Sequence, residues 1–311
     1  MQNSEKIKLI IVCGPTASGK TGLGAEIAKK LGGEVVSADS MQIYKGIPIA
    51  TAQPDVSEML GVPHHLIGFL EPGTPFSLAE YIELAHKTIA DITARGKIAV
   101  MVGGTGLYID SVADDVVLSD CGNTEIRKKL SEELKIYGAG VMYEKLKSVD
   151  PAAAEKISEN DARRIIRALE VFESTGVPFS RQNELSKQVP SRYKTVRFFM
   201  NYSDRALLYE RIDKRVDSMV EHGLLDEAVT WRAVVLENGA GQAIGHKELY
   251  PYIDGEISLE EALSNLKRAT RRYAKRQITW FSKREDAFLM QPDKENVFLK
   301  AMDVLKRSDF V

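Results

Sequence analysis

Gly14-Pro15-Thr16-Ala17-Ser18-Gly19-Lys20-Thr21 satisfies G-x-x-x-x-G-K-[ST] at every fixed position and follows the apolar run Leu9-Ile10-Ile11-Val12-Cys13. A strand feeding a glycine-rich turn and then a helix is a phosphate cradle. Glycines let the backbone curl so that successive N–H groups point at one anion, and the helix N-terminus adds its positive dipole end. Gly14, Thr16, Ala17, Ser18, Gly19, Lys20 and Thr21 are therefore the expected phosphate contacts. Lys20 would neutralise phosphate oxygens, and Thr21 offers a hydroxyl to Mg²⁺, an ion that keeps several waters in such sites.

Outward from this loop the chain alternates: a strand near 8–13, a helix near 19–31, a strand near 34–37, a helix near 78–94 and a strand near 97–102. Alternation of this kind predicts an α/β fold, a P-loop-containing doubly wound parallel sheet. From about 120 to 190 the period becomes helical, through Ile126, Leu130 and Leu134 and again through Ile165, Ile166, Leu169, Val171 and Phe172. This stretch reads as a helical insertion domain. A strand at Arg197 to Met200 then rejoins the sheet, a helix opens at Ser203 and closes at Gly223, and the remainder reads as helical with a loop near 238–246.

The 311 residues, 44% hydrophobic and 28% charged, describe an ordinary globular protein with a net charge of −2. No global field favours nucleic acid or membrane, so such a partner must be met by a local patch. Cys13 and Cys121 offer neither a disulfide framework nor a zinc pattern, and no apolar run approaches membrane-spanning length. The expectation is a cytoplasmic protein with no membrane partner.

A phosphate cradle does not by itself name a reaction. The strand Ile98 to Val102 ends in Gly103-Gly104-Thr105-Gly106 rather than in the acidic residue that positions magnesium in nucleotide hydrolases. The strand Glu34 to Ala38 does end in a carboxylate, Asp39, beside the loop at the sheet edge where ligands bind. Asp39 is the leading catalytic candidate; a turn aspartate is the plain alternative. Gln42, three residues on, is suited to reading an adenine edge bidentately. His64-His65 lacks metal-ligand companions and is assigned no role.

Lys267, Arg268, Arg271, Arg272, Lys275, Arg276, Lys283 and Arg284 fall in one stretch with no acidic residue between them. Eight cations with Tyr273, Trp280 and Phe281 among them predict an anion-binding surface with rings for stacking or packing. On the helix from Ser203, Arg211 and Arg215 lie four apart, two guanidinium forks on one face that suit a diphosphate.

Taken in order, the loop at 14–21, Asp39-Ser40-Met41-Gln42-Ile43-Tyr44-Lys45-Gly46, Gly103-Gly104-Thr105, Asn160-Asp161 with Arg163, Arg164 and Arg167 to Val171, Gln242-Ala243-Ile244-Gly245, and Ala274 to Phe281 resemble the bacterial type of the tRNA dimethylallyltransferase family. The resemblance implies transfer of a dimethylallyl group from dimethylallyl diphosphate to N6 of the adenosine 3′ of the anticodon, in tRNAs reading codons that begin with U. Asp39 looks like the general base, with Thr105, Arg205 and Arg211 also catalytic and Mg²⁺ at Thr21. Contacts to the tRNA anticodon arm are implied for Asp39, Ser40, Met41, Gln42, Arg163, Arg164, Arg167, Gln242, Ala243, Ile244, Gly245, His246, Lys247, Lys275, Arg276, Gln277 and Trp280. The organisation implied is a core of 1–118 and 195–311 with basic C-terminal helices and a tRNA-gripping insertion at 119–194, acting as a monomer. A zinc-finger extension such as eukaryotic relatives carry is not expected. Two other enzymes remain open at this point, an isopentenyl transferase acting on free AMP and a P-loop nucleotide kinase.

Overall fold

A computed structural model describes residues 6–116, 124–232 and 239–311. Cys121 and the expected junction at 118/119 lie outside the described residues. The chain divides into two compact units, 1–113 with 192–311, and 114–191.

The first unit is built on six strands, β1 (Ile7–Cys13), β2 (Glu34–Ser37), β3 (His64–His65), β4 (Ala99–Gly103), β5 (Tyr193–Met200) and β6 (Ala287–Met290). They form one sheet in the order β3-β2-β4-β1-β5-β6, with every pair parallel. Parallel strands need crossover helices and are covered on both faces, which explains why Ile10, Val12, Val100 and Phe198 are apolar without alternation and fully buried. After β1 the chain enters α1 (Lys20–Leu31) and passes over β4 to reach β2; α2 (Leu78–Ala94) and α3 (Gly106–Ala113) flank β4 in sequence. The strand order thus reverses direction beside β1, and the carboxyl ends of β1, β4 and β2 open onto the crevice where ligands of such sheets bind.

The second unit contains α4 (Thr124–Val149), α5 (Pro151–Ala154), α6 (Ala162–Thr175) and α7 (Phe179–Lys187). Gly138, at φ 80° and ψ 169°, breaks α4 into two helical arms. Leu130, Met142, Leu146, Ile165 and Leu169 form its core. Asp150 caps α5 through Ala153 N–H and also accepts from Ser180 N–H.

The chain re-enters the sheet at Tyr193, so Tyr193 and Lys194, placed by the sequence in the insertion, belong to β5. There follow α8 (Arg205–Glu221), α9 (Leu224–Arg232), a 3₁₀ turn at Gly239–Gln242, α10 (His246–Ile253), α11 (Leu259–Phe281) and, after β6, α12 (Val297–Arg307). The cap of α8 is Asp204, whose carboxylate accepts from Ala206 N–H, while Ser203 N–H is held by Asp293. No helix among the described residues is long and apolar enough to cross a membrane.

Candidate active site

At the end of β1 the backbone turns through Gly14, where a Cβ would lie 2.4 Å from the Met200 carbonyl oxygen, and through Ala17 and Gly19, both left-handed at φ 62° and 87°. These angles direct the loop over the N-terminus of α1, whose first N–H groups have no intrahelical partner and which no side chain caps. Ser18 is 1% exposed, and its Oγ finds no hydrogen-bond partner among the described residues. A buried orphan hydroxyl inside a curled, positively polarised loop is a fit for phosphate oxygens. Lys20 Nζ donates to the Pro15 carbonyl at 3.2 Å. Burial pushes its ammonium down to about 8 against the pull of Asp39, and Arg215 adds to the depression.

The arginines of α8 are sorted by helical period. Arg211 donates through Nε to the Ala17 carbonyl at 3.1 Å, and Arg215, one turn on, shares cavities with Lys20 and Thr21. Burial lowers the Arg215 guanidinium's pKa. Arg205, expected among the diphosphate contacts, is exposed and lines neither cavity, because six residues of helix turn it away from Arg211. Arg215, and not Arg205, lines both cavities beside the loop.

Asp39 stands past the tip of β2. Its Oδ1 accepts from Met41 N–H at 3.0 Å, the turn contact weighed as the plain alternative, while Oδ2 has no partner among the described residues. Ser40 N–H donates to Thr105 Oγ1 at 2.9 Å, and Thr105 N–H to the Ala38 carbonyl at 3.1 Å, so the two strand tips are tied together. A Cβ on Gly103 would lie 2.1 Å from the Ala38 oxygen. Gln42 lines the cavity with its amide engaged: Nε2 donates to Ala52 O at 2.9 Å and Oε1 accepts from Ser37 Oγ at 3.1 Å. Its amide fixes the 51–52 wall of the site.

That wall, the loop, Asp39, α8 and α11 enclose a cavity of 270 Å³. Ile212, Val216, Met219 and Leu266 make it apolar on one side, and Thr16, Lys20, Thr21, Asp39 and Arg215 make it polar on the other. A second cavity of 590 Å³ opens on the outer side of the loop and shares Lys20, Thr21, Ala52, Arg215 and Met219 with the first. Phosphate-binding groups therefore separate two spaces, one of them half apolar.

Among the segments expected to touch RNA, Asp39, Ser40, Met41, Gln42, Ala243, Ile244, Gly245, Lys247, Arg276 and Gln277 all line the 270 Å³ cavity. Ala243 is buried in a cluster with Ile43 and Tyr44. His246 is a correction: it is 1% exposed, with Nε2 2.8 Å from Glu227 Oε1, while the same carboxylate accepts from Ile49 and Ala50 N–H. Gln277, at the edge of the cavity, is 4% exposed with its amide engaged by Thr16 N–H and Gly104 O. Gln242 closes the 3₁₀ turn. In the second unit, Arg163 and Arg164 are exposed on α6, Arg164 lies 3.4 Å from Asp161, and Arg167 bonds the buried Glu170.

The basic run does not lack counter-charges, as its sequence suggested, because they arrive from other elements. Lys267 pairs with Asp217 at 2.6 Å, Arg271 with Asp213 at 2.6 Å, and Arg284 with Asp110 at 3.4 Å. Lys275, Arg276, Thr279, Trp280 and Lys283 line a groove of 460 Å³, in which Trp280 Nε1 donates to Asp110 at 2.7 Å.

A phosphate loop at the switch point of a parallel sheet, with an apolar half-cavity beyond it and no carboxylate closing β4, defines a P-loop-fold transferase rather than a nucleotide hydrolase. The family model described as IPP transferase matches residues 42–284, and that described as isopentenyl transferase matches 7–70. The chain belongs to the IPP transferase family. It is 48% identical over 279 residues to a tRNA dimethylallyltransferase of Thermoanaerobacter sp. (strain X514), covering 88% of this chain and 89% of the relative. To the one from Geobacillus thermodenitrificans (strain NG80-2) it is 47% identical over 276 residues, covering 88% and 87%. The crystal structure of the full-length tRNA isopentenylpyrophosphate transferase from Bacillus halodurans superposes with a TM-score of 0.72 at 40% identity, covering 98% of each chain. A eukaryotic dimethylallyltransferase captured acting on tRNA gives 0.85 at 30% identity, covering 98% of this chain and 79% of that one.

Proposed function

We propose that this chain transfers the dimethylallyl group of dimethylallyl diphosphate to N6 of the adenosine 3′-adjacent to the anticodon, in tRNAs reading codons that begin with U. The observation that carries the reading is the placement of Asp39 and the apolar wall in one cavity with Lys20, Thr21 and Arg215. In the reaction the N6–C1 bond forms, the C1–O bond of the diphosphate breaks, its electron pair leaves with the diphosphate, and one N6 proton passes to Asp39.

The adenine amine is a weak nucleophile because its lone pair is delocalised into the ring, so a carboxylate that takes its proton during attack lowers the barrier. Thr105, bonded to Ser40, holds the carboxylate's turn near the reacting centre. Charge on the departing diphosphate is met by the loop N–H groups, Ser18, Lys20, Arg211 and Arg215. Thr21 is the side chain that would hold Mg²⁺, with phosphate oxygens and water completing the shell, and the ion would offset leaving-group charge.

A base stacked in an anticodon loop cannot reach a walled cavity, so the adenosine is flipped out. Arg163 and Arg164 on α6, and Lys275, Arg276, Trp280 and Lys283 on α11, are the groups proposed to grip the anticodon arm, with the protein acting as a monomer in the cytoplasm. Labelled dimethylallyl diphosphate offered with unmodified tRNA, AMP or neither decides the matter. Label in tRNA alone is expected; label in AMP would make this a free-nucleotide prenyltransferase, and consumption of ATP with phosphoryl transfer would make it a kinase.

A further inference from the structure

Gln277, 4% exposed on α11 at the edge of the 270 Å³ cavity, joins two loops through its side-chain amide. Oε1 accepts from Thr16 N–H of the phosphate loop at 2.9 Å, and Nε2 donates to the Gly104 carbonyl at 3.0 Å. The approach is close enough that a Cβ on Gly104 would lie 2.1 Å from Nε2. Gly104 leads directly into Thr105, and Thr105 Oγ1 holds Ser40 N–H beside Asp39. One turn earlier on the same helix face, Tyr273 lies beside Thr105 and Gln277.

We infer that Gln277 is a positioning residue: its amide is the spacer that fixes the distance between the loop holding the leaving diphosphate and the loop holding the base at the acceptor amine. The inference rests on the transfer reaction proposed above. Displacement at an allylic carbon needs donor, carbon and leaving group in line, and an error of about 1 Å in such a geometry costs on the order of 10²-fold in rate. Binding has other supports. The phosphate loop is also held by β1, α1 and the Arg211 contact to Ala17, and tRNA is gripped by exposed cations. A spacer therefore acts on the chemical step and leaves both affinities standing.

Gln277→Met keeps the length and volume of the side chain while deleting both hydrogen bonds; Gln277→Glu keeps the acceptor for Thr16 N–H and loses the donor to Gly104. Single-turnover transfer to tRNA, the Kd of inorganic diphosphate and the Kd of tRNA are measured for each, with thermal melting as the control for folding. Transfer is expected to fall about 10²-fold in Gln277→Met and by less in Gln277→Glu, with both dissociation constants within about threefold of wild type. Should Gln277→Met not fold, Gln277→Asn, one methylene shorter, carries the same test. A transfer rate unchanged at saturating substrates sinks the spacer, and so does a tRNA Kd that rises in step with the loss, since that would make Gln277 an RNA contact. A wild-type protein that prenylates no tRNA overturns the proposed function instead, which keeps the two failures apart.

Discussion

Arg211 Nε donates to the Ala17 carbonyl at 3.1 Å, binding α8 to the one non-glycine residue of the phosphate loop that is held left-handed. Through that contact the helix is indexed to the loop, and the next inward residue, Arg215, is delivered to the cavities beside Lys20.

Arg215→Ala is therefore expected to lose on the order of 30-fold or more in kcat/KM for dimethylallyl diphosphate, the worth of a hydrogen bond from a charged donor. Arg205→Ala should stay within about twofold of wild type, because the side chain is exposed and outside both cavities. Steady-state kinetics with the diphosphate varied at saturating tRNA measure both; the reverse order of sensitivity would return Arg205 to the site.

Asp39→Ala should lose about 10²- to 10⁴-fold in single-turnover transfer while binding tRNA normally, since general-base assistance lies in the chemical step. Near-normal transfer would reduce Asp39 to the turn residue that its contact with Met41 N–H also describes.

Lys20 makes diphosphate binding pH-dependent in a stated direction. Its ammonium in the free protein titrates at about 8, below its ordinary value, and a bound diphosphate favours the charged form. Below that pH the proton is already present and affinity is flat with respect to this group. Above it, binding must take up a proton, so affinity falls, approaching about tenfold per pH unit. Calorimetric titration of inorganic diphosphate from pH 6.5 to 9.5 should show the fall, and Lys20→Arg, charged throughout, should remove it.

The basic helix contains two kinds of cation. Arg272→Gln, Lys275→Gln and Lys283→Gln should each flatten the salt dependence of tRNA binding by about one unit of slope. Lys267→Gln and Arg271→Gln should leave the slope as it is, because their charges are met by Asp217 and Asp213. Filter binding at four salt concentrations separates the groups, and equal effects from both would mean the ion pairs open when RNA arrives.

The phosphate loop, the helix at Leu78–Ala94 and the alternation of strand and helix were legible because each is encoded locally, by a turn motif or by apolar period. β3 and β6 were not: two and four residues are too short for a period, and β6 carries exposed Phe288 and Leu289 on a sheet edge. In the candidate site, residue types were readable and their partners were not. Gln42, His246 and Gln277 resemble ligand-reading groups until segments 10, 19 and 173 residues away claim their polar atoms. The acidic partners of the basic helix were hidden the same way, standing on α8 and α3. For Arg215 the signal was present in its spacing from Arg211.

The ends of β2 and β4 lie so close that any side chain at Gly103 would meet the Ala38 carbonyl, its Cβ at 2.1 Å. An aspartate grafted at Gly103 would force the strand ends apart. A nucleotide-hydrolysing descendant of this scaffold with its carboxylate at Gly103 would have to re-space two strands first.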